Sequence, residues 1–421
     1  MDAPLDASLA WARGYRHQTA GLPGVSCAFR EELEDFEVEE VPAYEPSGEG
    51  EHLYLWIEKR GVGTPEAEMR LARALHVPEA GCGHAGRKDA RGVTRQWLSF
   101  HGARAEEALE LELDGIRVLR AEYHSNKLRV GHLVGNRFTL VLRGIGVERR
   151  GDVEAVLRAL ESDGMPNYFG EQRFGRGGRA HELGQLLVAD DREGYVHALV
   201  SPEHAGHGKA AAELRRVILA GERSAYRHLG SLGRQLDPDL AALAKQLARR
   251  PGSLASAVRA IPKTTRRFHV NALQSWCFNG VVAARLERWG GLGSLWPGDM
   301  AQKHDSGGCF RVEDAELDTT RAGRMEISPT GPMPGPRMDA PEGEPGELEA
   351  GVLEKLAVVA SSLGGLPGGI GARGVRRALR VPLVGLEVAW EGERLRLSFQ
   401  LPKGSYATTL VEEVRKLLPQ P

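Results

Sequence analysis

The chain has 421 residues, of which 41% are hydrophobic, 27% charged and 6% aromatic. This length predicts about two or three domains, and the near-average apolar and charged fractions exclude an intrinsically disordered chain. The formal net charge is −2, from 55 basic and 57 acidic residues. The overall charge therefore gives no evidence for nucleic-acid binding, which a strongly basic domain would supply.

From the sequence we expect neither a membrane-spanning segment nor an export signal. No apolar run approaches the roughly 18–20 residues that would span a bilayer. Met1-Asp2-Ala3-Pro4 at the start lacks the basic patch and apolar stretch of a signal peptide. We therefore expect a cytoplasmic protein that does not contact a membrane.

The first part of the chain predicts strands separated by helices. Alternating apolar residues predict strands at 52–58, 96–100 and 137–143. Thr64 as N-cap and Pro65 as the first helical residue predict the start of a helix. Helical spacing predicts a further helix over 152–162, which Gly164 ends. Because the strands and helices do not alternate strictly, an α+β domain is expected.

The middle of the chain is dominated by helical patterns, and strand patterns return near its end. Helices are predicted at 203–219, 240–249 and 272–289, a proline-rich loop at 328–336, a β-hairpin at 386–399 and a last helix at 410–417. The sequence thus predicts a mostly antiparallel sheet domain formed by residues 1–163 and 324–421. A mainly helical insertion domain, residues 164–323, interrupts it.

One acidic residue lies in a turn of unusual composition. Asp89 follows Gly86 closely and has Arg87, Lys88, Arg91 and Arg95 near it in sequence. Cations within a few Å keep a carboxylate ionised, as a nucleophile or general base requires. The alternative is an exposed aspartate that caps a turn among solvated arginines.

Two further segments combine basic and aromatic residues. In Lys127–Gly131 and Gly135–Phe138, basic side chains precede an aromatic ring, a pattern that nucleic-acid grooves use for phosphates and bases. Phe138 is equally consistent with the first core residue of its strand. The aromatic-rich segment 167–175 could pack a domain junction or bind RNA. Nucleotide-binding loops and metal-ligand spacings are absent from the sequence, so neither cofactor nor metal is expected.

These segments resemble the tRNA pseudouridine synthase D family. The residues at 86–89 and 94–96 match its Gly-x-Lys-Asp and Thr-x-Gln elements. Its Lys-Leu-Arg-x-Gly and Gly-Asn-x-Phe elements match at 127–131 and 135–138, and Asn-Tyr-Phe-Gly-x-Gln-Arg-Phe-Gly matches at 167–175. Further matches extend over nearly the whole chain.

The resemblance implies an isomerase of the pseudouridine synthase fold that converts uridine 13 of tRNA to pseudouridine without a cofactor, and we expect it to act as a monomer. It nominates Asp89 as the nucleophile. For contacts with the target nucleotide it nominates Phe36, Lys88, Asn136, Phe138 and Tyr406. For contacts with the rest of the RNA, charge and resemblance together nominate Lys127, Arg129, Arg173, Arg176, Arg266 and Arg267.

Two other functions remain open at the level of sequence. The first is an RNA-binding module without turnover, against which the intact Asp89 turn argues. The second is a carboxylate-dependent glycosidase acting on nucleosides or RNA. Glycosidases usually place two carboxylates about 5–10 Å apart, whereas only Asp89 lies in a motif of suitable character.

Overall fold

The computed structural model describes residue 12, residues 14–221 and residues 224–418, so that Met1–Pro4 lie outside the described part. The chain divides into two compact units. The sheet unit comprises Gly21–Met165 and Val381–Lys416, and the helical unit comprises Pro166–Arg380 together with the described residues before Gly21 and after Lys416.

The elements follow one another along the chain as follows. The strands are β1 (Ala28–Phe29), β2 (Phe36–Pro42), β3 (His52–Arg60), β4 (Cys82–His84), β5 (Val93–His101), β6 (Ile116–His124), β7 (Leu133–Arg143), β8 (Met165–Pro166), β9 (Met300–Lys303), β10 (Cys309–Arg311), β11 (Ile327–Met333), β12 (Val375–Ala378), β13 (Arg380–Val381), β14 (Val384–Glu391) and β15 (Arg394–Pro402). The α-helices are α1 (Thr64–Ala74), α2 (Ala105–Leu109), α3 (Arg150–Asp163), α4 (Ala180–Val188), α5 (Arg192–Leu199), α6 (Pro202–Ala205), α7 (Lys209–Ala220), α8 (Pro238–Arg249), α9 (Leu254–Ala260), α10 (Lys263–Trp289), α11 (Ala315–Gly323), α12 (Gly343–Lys355) and α13 (Thr408–Arg415). Segments of 3-10 helix occupy Leu33–Asp35, Glu79–Gly81, Val147–Arg149, Glu171–Phe174, Arg176–Gly178, Ala225–Gln235 and Ala360–Leu363.

A single mixed sheet organises the sheet unit. Nine strands of its described residues take part, in the order β14-β15-β7-β2-β5-β3-β6, with β1 paired to β7 and β4 to β5. The β2–β5 pair is parallel, and the other pairs are antiparallel. The predicted α+β class with a mostly antiparallel sheet is therefore confirmed.

One of the buried clusters of the sheet unit lies where α3 and α13 pack against β7 and its neighbouring strands. Val153 and Leu157 of α3 join Leu410 of α13 in one buried cluster with Leu140 of β7. These apolar residues recur at helical spacing, which explains why the sequence predicted both helices. Gly164, with φ of 78°, ends α3 as predicted.

In the helical unit, two predicted segments differ from the structure. Residues 328–336 were expected to form a loop, but Ile327–Met333 is a wholly buried strand. β11 pairs with β9 through Pro329 and with β12 from Thr330 onwards. Pro329 and Pro332 are therefore each in register with one neighbouring strand only, a position at which a residue without a backbone N–H is tolerated. The helix predicted at 203–219 is broken into α6 and α7, because Gly206 adopts φ of 75° between them.

The boundaries of the two units also differ from the predicted domains. The chain returns to the sheet unit at 380/381 rather than at 323/324. β11 explains the difference, because its pairing with β9 and β12 keeps residues 324–380 in the helical unit. No helix in the described ranges combines the length and the apolar character that a membrane crossing would require.

Candidate active site

The turn that carries Asp89 is held by buried hydrogen bonds. The Lys88 backbone N–H donates to Thr64 Oγ1 at 2.8 Å, and this hydroxyl donates to Gln96 Oε1 at 2.7 Å. Gln96 Nε2 in turn donates to the carbonyl of Gly86 at 3.2 Å. Thr64 was expected to cap α1, but Gly63 is the N-cap and the Thr64 hydroxyl instead fixes the Gly86–Asp89 turn.

Lys88 forms a buried ion pair at a break in the sheet. The parallel pairing of β2 with β5 ends at Glu39 and Arg95. Just beyond this point, the backbone N–H of Trp97 donates to Glu40 Oε1 at 3.3 Å. Lys88 Nζ donates to Glu40 Oε2 at 2.7 Å. Burial raises the pKa of the Glu40 carboxyl, and Lys88 opposes this shift. The Lys88 ammonium thus binds the Glu40 carboxylate of the protein itself.

Asp89 faces a cation from a distant part of the chain. Arg30 Nη2 donates to Asp89 Oδ2 at 3.0 Å, and the two side chains are 19% and 26% exposed. The Arg30 guanidinium also lies 3.8 Å from the ring centroid of Phe36. Arg30 adopts φ of 62°, a backbone conformation uncommon outside glycine, which places its side chain over this ring. Arg95, predicted beside Asp89, binds Glu58 instead.

Next to the Arg30–Asp89 ion pair, aromatic residues form a continuous series of ring contacts. The rings of Phe36 and Phe138 are 6.1 Å apart, and Phe138 stacks on Phe399 at 5.8 Å. Phe138 is 6% exposed and belongs to the buried cluster of the sheet unit. The ring of Phe138 is therefore surrounded largely by core residues, in agreement with the core interpretation of its position in the sequence.

Asn136 and Tyr406 lie at neighbouring strand ends. Asn136 is opposite Glu40 in the β2–β7 register and precedes Phe138 by two residues, which places both on one face. Its Oδ1 is buried without a hydrogen-bond partner among the described residues. Tyr406 follows the end of β15, where Pro402 pairs with Gly135. An unpaired acceptor at this position is suited to an N–H of a bound base.

Lys127 and Arg129 lie on a loop fixed beside the Asp89 turn. Gly131 N–H donates to the carbonyl of Ala85 at 2.8 Å, one residue before the turn begins. Lys127 Nζ donates to the carbonyl of Ala80 at 2.8 Å, whereas Arg129 is exposed. The loop places at least the Arg129 charge in solvent.

The nominated cations of the helical unit differ in accessibility. Arg267 is exposed, and Arg176 is an exposed partner of Asp237 at 3.8 Å. Arg173 Nε donates to Ser275 Oγ at 2.8 Å. Arg266 is only 6% exposed, and its Nε donates to a backbone carbonyl of its own unit. Arg266 therefore does not present an exposed charge, because the first turn of α10 is packed against its surroundings on that side.

Three residues of the site were missed in the sequence: Arg30, Glu40 and Lys59. Lys59 continues the inward-facing series Leu53, Leu55 and Ile57 of β3, and a lysine at a core position of a strand is a readable signal. Arg30 and Glu40 carry no comparable local pattern. Across the described ranges, no three His, Cys, Asp or Glu side chains converge as metal ligands.

Comparison with known proteins places the chain in a family. The family model of tRNA pseudouridine synthase D (TruD) matches residues 13–414. Relatives named tRNA pseudouridine synthase D include one from Geobacter metallireducens, 44% identical over 401 residues that cover 95% of this chain and 98% of the relative. Another, from Geobacter sulfurreducens, is 43% identical over 409 residues, covering 95% and 97%.

Solved structures agree with this assignment. A crystal structure from Methanosarcina mazei that carries the same family name matches with a TM-score of 0.75 at 26% identity and covers 96% of both chains. The similarity therefore extends over both units rather than over the Asp89 motif alone. The chain belongs to the tRNA pseudouridine synthase D family.

Proposed function

We propose that this protein converts uridine 13 of tRNA to pseudouridine, with Asp89 as the nucleophile and without a cofactor. Isomerase activity on tRNA follows from the family to which the chain belongs. The observation that carries the assignment of Asp89 is its 3.0 Å pair with Arg30 on a turn fixed by buried hydrogen bonds. A preorganised, partly accessible carboxylate is what nucleophilic catalysis requires.

The reaction exchanges one bond to the ribose for another. The N1–C1′ bond of uridine breaks, the uracil turns, and C5 bonds to C1′ while its proton is lost and N1 gains one. No electrons enter or leave, so the reaction needs no redox partner. Asp89 acts on the sugar or on the base, or through a glycal, and Arg30 balances the charge on its carboxylate in each case.

The target base must leave its stack before it can react, at a cost of about a few kcal/mol. An aromatic contact returns about 1–3 kcal/mol per base. Phe36 and Phe138 supply aromatic surface next to the ion pair, and Tyr406 is proposed as a further wall. The unpaired Oδ1 of Asn136 is proposed to accept a base N–H. Lys88 acts in this proposal by fixing the turn through Glu40.

The remaining RNA contacts are proposed from charge. Arg129 of the sheet unit and Arg176 and Arg267 of the helical unit are exposed cations that can contact phosphates. Phosphate contacts release counterions, so tRNA affinity should fall steeply with salt although the protein's net charge is −2. We also propose that the protein is a monomer and acts in the cytoplasm. Light scattering of the purified protein tests the oligomeric state.

The test is a single substitution combined with product mapping. Asp89→Asn should abolish pseudouridine formation while tRNA affinity stays within about a few-fold of wild type, because the change removes one charge and little volume. The control is the same tRNA with cytidine at position 13, which should remain unmodified. Normal turnover by Asp89→Asn would contradict the nucleophile, and pseudouridine at another position would contradict the site while leaving the synthase activity intact.

The same assay separates the two alternatives. An RNA-binding module without turnover would bind tRNA and form no product. A glycosidase would release free uracil, for which a second available carboxylate is usual. Glu40 is a second carboxylate in the motif region, but both of its oxygens accept hydrogen bonds, from Lys88 and from Trp97. This arrangement favours the synthase over the glycosidase.

A further inference from the structure

Lys59 places a buried ammonium under the backbone of the Asp89 turn. The residue is 0% exposed. Its Nζ donates to the carbonyls of Val62 at 2.9 Å, of Asp89 at 3.1 Å and of Lys88 at 3.5 Å. An ammonium has three N–H donors, and three carbonyls surround this one. The contacts join the end of β3 to two consecutive residues of the turn.

The charge of Lys59 is costly to bury at this position. In the part of the chain that the structure describes, no carboxylate lies within ion-pair distance of its Nζ. The preceding inward residues of β3, Leu53, Leu55 and Ile57, are apolar and fully buried. An apolar residue at position 59 would avoid the desolvation of a charge. The lysine must therefore contribute something that packing alone does not.

We propose that Lys59 is a positioning residue for the reaction, which fixes the peptide groups of Lys88 and Asp89 so that the Asp89 carboxylate stays in reach of Arg30 and the target nucleotide. The proposal rests on Asp89 being the reacting group. One ammonium that binds two consecutive carbonyls restricts rotation of the peptide between them. A displacement of about 1 Å at a reacting group can lower a rate about 100-fold.

The protonation state of Lys59 gives this role a signature. Burial lowers its pKa to about 8, Lys88 adds to the lowering, and Asp89 opposes it. The residues opposite Lys59 in the neighbouring strands, Thr94 and Ile116, carry no charge. As pH rises through the lowered pKa, the ammonium becomes an amine with two donors and a lone pair. Its hold on the third carbonyl is then lost, so turnover should fall on the alkaline side.

The experiment measures kcat and KM for pseudouridine formation in tRNA from about pH 6 to about pH 10. Lys59→Met keeps the aliphatic length, and Lys59→Arg keeps a charge that does not titrate in this range. Lys209→Met is the matched control, because it makes the same change at an exposed position of the helical unit. Melting temperatures and circular dichroism report whether each variant is folded.

We expect Lys59→Met to lower kcat by roughly 30- to 100-fold, with KM within about two-fold of wild type and no alkaline loss near the lowered pKa. Lys59→Arg should recover part of kcat and stay active at higher pH, and Lys209→Met should match wild type. An active, folded Lys59→Met with unchanged kcat overturns the proposal. If Lys59→Met does not fold, Lys59→Arg decides, and an alkaline loss identical to wild type overturns it.

The outcome also separates this proposal from the function on which it rests. If the wild-type protein forms no pseudouridine in tRNA, both fail. If wild type is active, Asp89→Asn is inactive and Lys59→Met equals wild type in kcat and pH profile, only the role of Lys59 fails.

Discussion

Two arginine–carboxylate pairs, Arg285–Asp299 in the helical unit and Arg30–Asp89 in the sheet unit, differ in burial. In the helical unit, Arg285 binds both oxygens of Asp299, at 3.0 and 2.8 Å, and also the carbonyl of Ser294. Those two side chains are 3% and 1% exposed. In the sheet unit, Arg30 makes a single hydrogen bond to Asp89, and both side chains stay partly accessible.

This difference indicates which pair holds the fold and which is available for chemistry. When one partner of a deeply buried pair is removed, the other charge stays buried without compensation, so the loss is strongly destabilising. A partly accessible pair contributes little to stability and leaves its carboxylate in contact with solvent. Substitutions in the two pairs should therefore separate stability from turnover.

The largest effect is expected in the helical unit. Arg285→Met leaves Asp299 buried without its cation and should lower the free energy of unfolding by about 3–5 kcal/mol. Urea denaturation measures the loss. The double variant Arg285→Met, Asp299→Leu is the control and should recover most of it, since no charge is then buried. A loss below about 1 kcal/mol in the single variant would mean that the pair does not hold this region.

In the sheet unit, the same substitution should act on turnover instead. Arg30→Met removes the cation at Asp89 and should lower kcat about 100-fold, or about 2.7 kcal/mol. The free energy of unfolding should change by less than about 1 kcal/mol, because the pair is partly solvated. Kinetics and urea denaturation on the same preparation provide both values. Equal loss of stability in Arg30→Met and Arg285→Met would remove the distinction between the pairs.

Phe138 allows the two roles to be compared within one side chain. Phe138→Leu should cost about 1 kcal/mol of stability, because the ring is in the core cluster. If the ring also stacks on the target base, kcat should fall about ten-fold beyond what this loss explains. Phe399→Leu is the matched control, since Phe399 stacks on Phe138 and is buried in the same cluster. The same kinetics in both variants would assign Phe138 to the core alone.

The smallest effect is expected for single RNA contacts. Arg267→Glu should raise KM about five-fold, or about 1 kcal/mol, and reduce the salt dependence of tRNA binding. Arg266→Gln should leave KM nearly unchanged, because Arg266 is buried and its neighbour is exposed. Filter binding over a salt series compares the two. A larger effect of Arg266→Gln on the salt dependence would mean that its guanidinium becomes accessible when RNA binds.

Local patterns were sufficient for much of the fold. Strand β3, predicted over 52–58, occupies His52–Arg60, and the helix predicted over 152–162 occupies Arg150–Asp163. Both follow from apolar periodicity, which depends on residues close in sequence. The strand β11 was missed because its proline content is typical of loops, and only its pairing with β9 and β12 makes it a strand.

The sequence by itself determined the Asp89 turn, the family and the α+β class, because each is written in contiguous motifs or in periodicity. The tertiary structure decided what surrounds the turn. Arg30, which lies earlier in the chain, binds Asp89, and Lys88 binds Glu40. Lys59 donates a hydrogen bond to the backbone carbonyl of Asp89 in the turn. These contacts join residues tens of positions apart, and they depend on burial and strand register, which no local pattern contains.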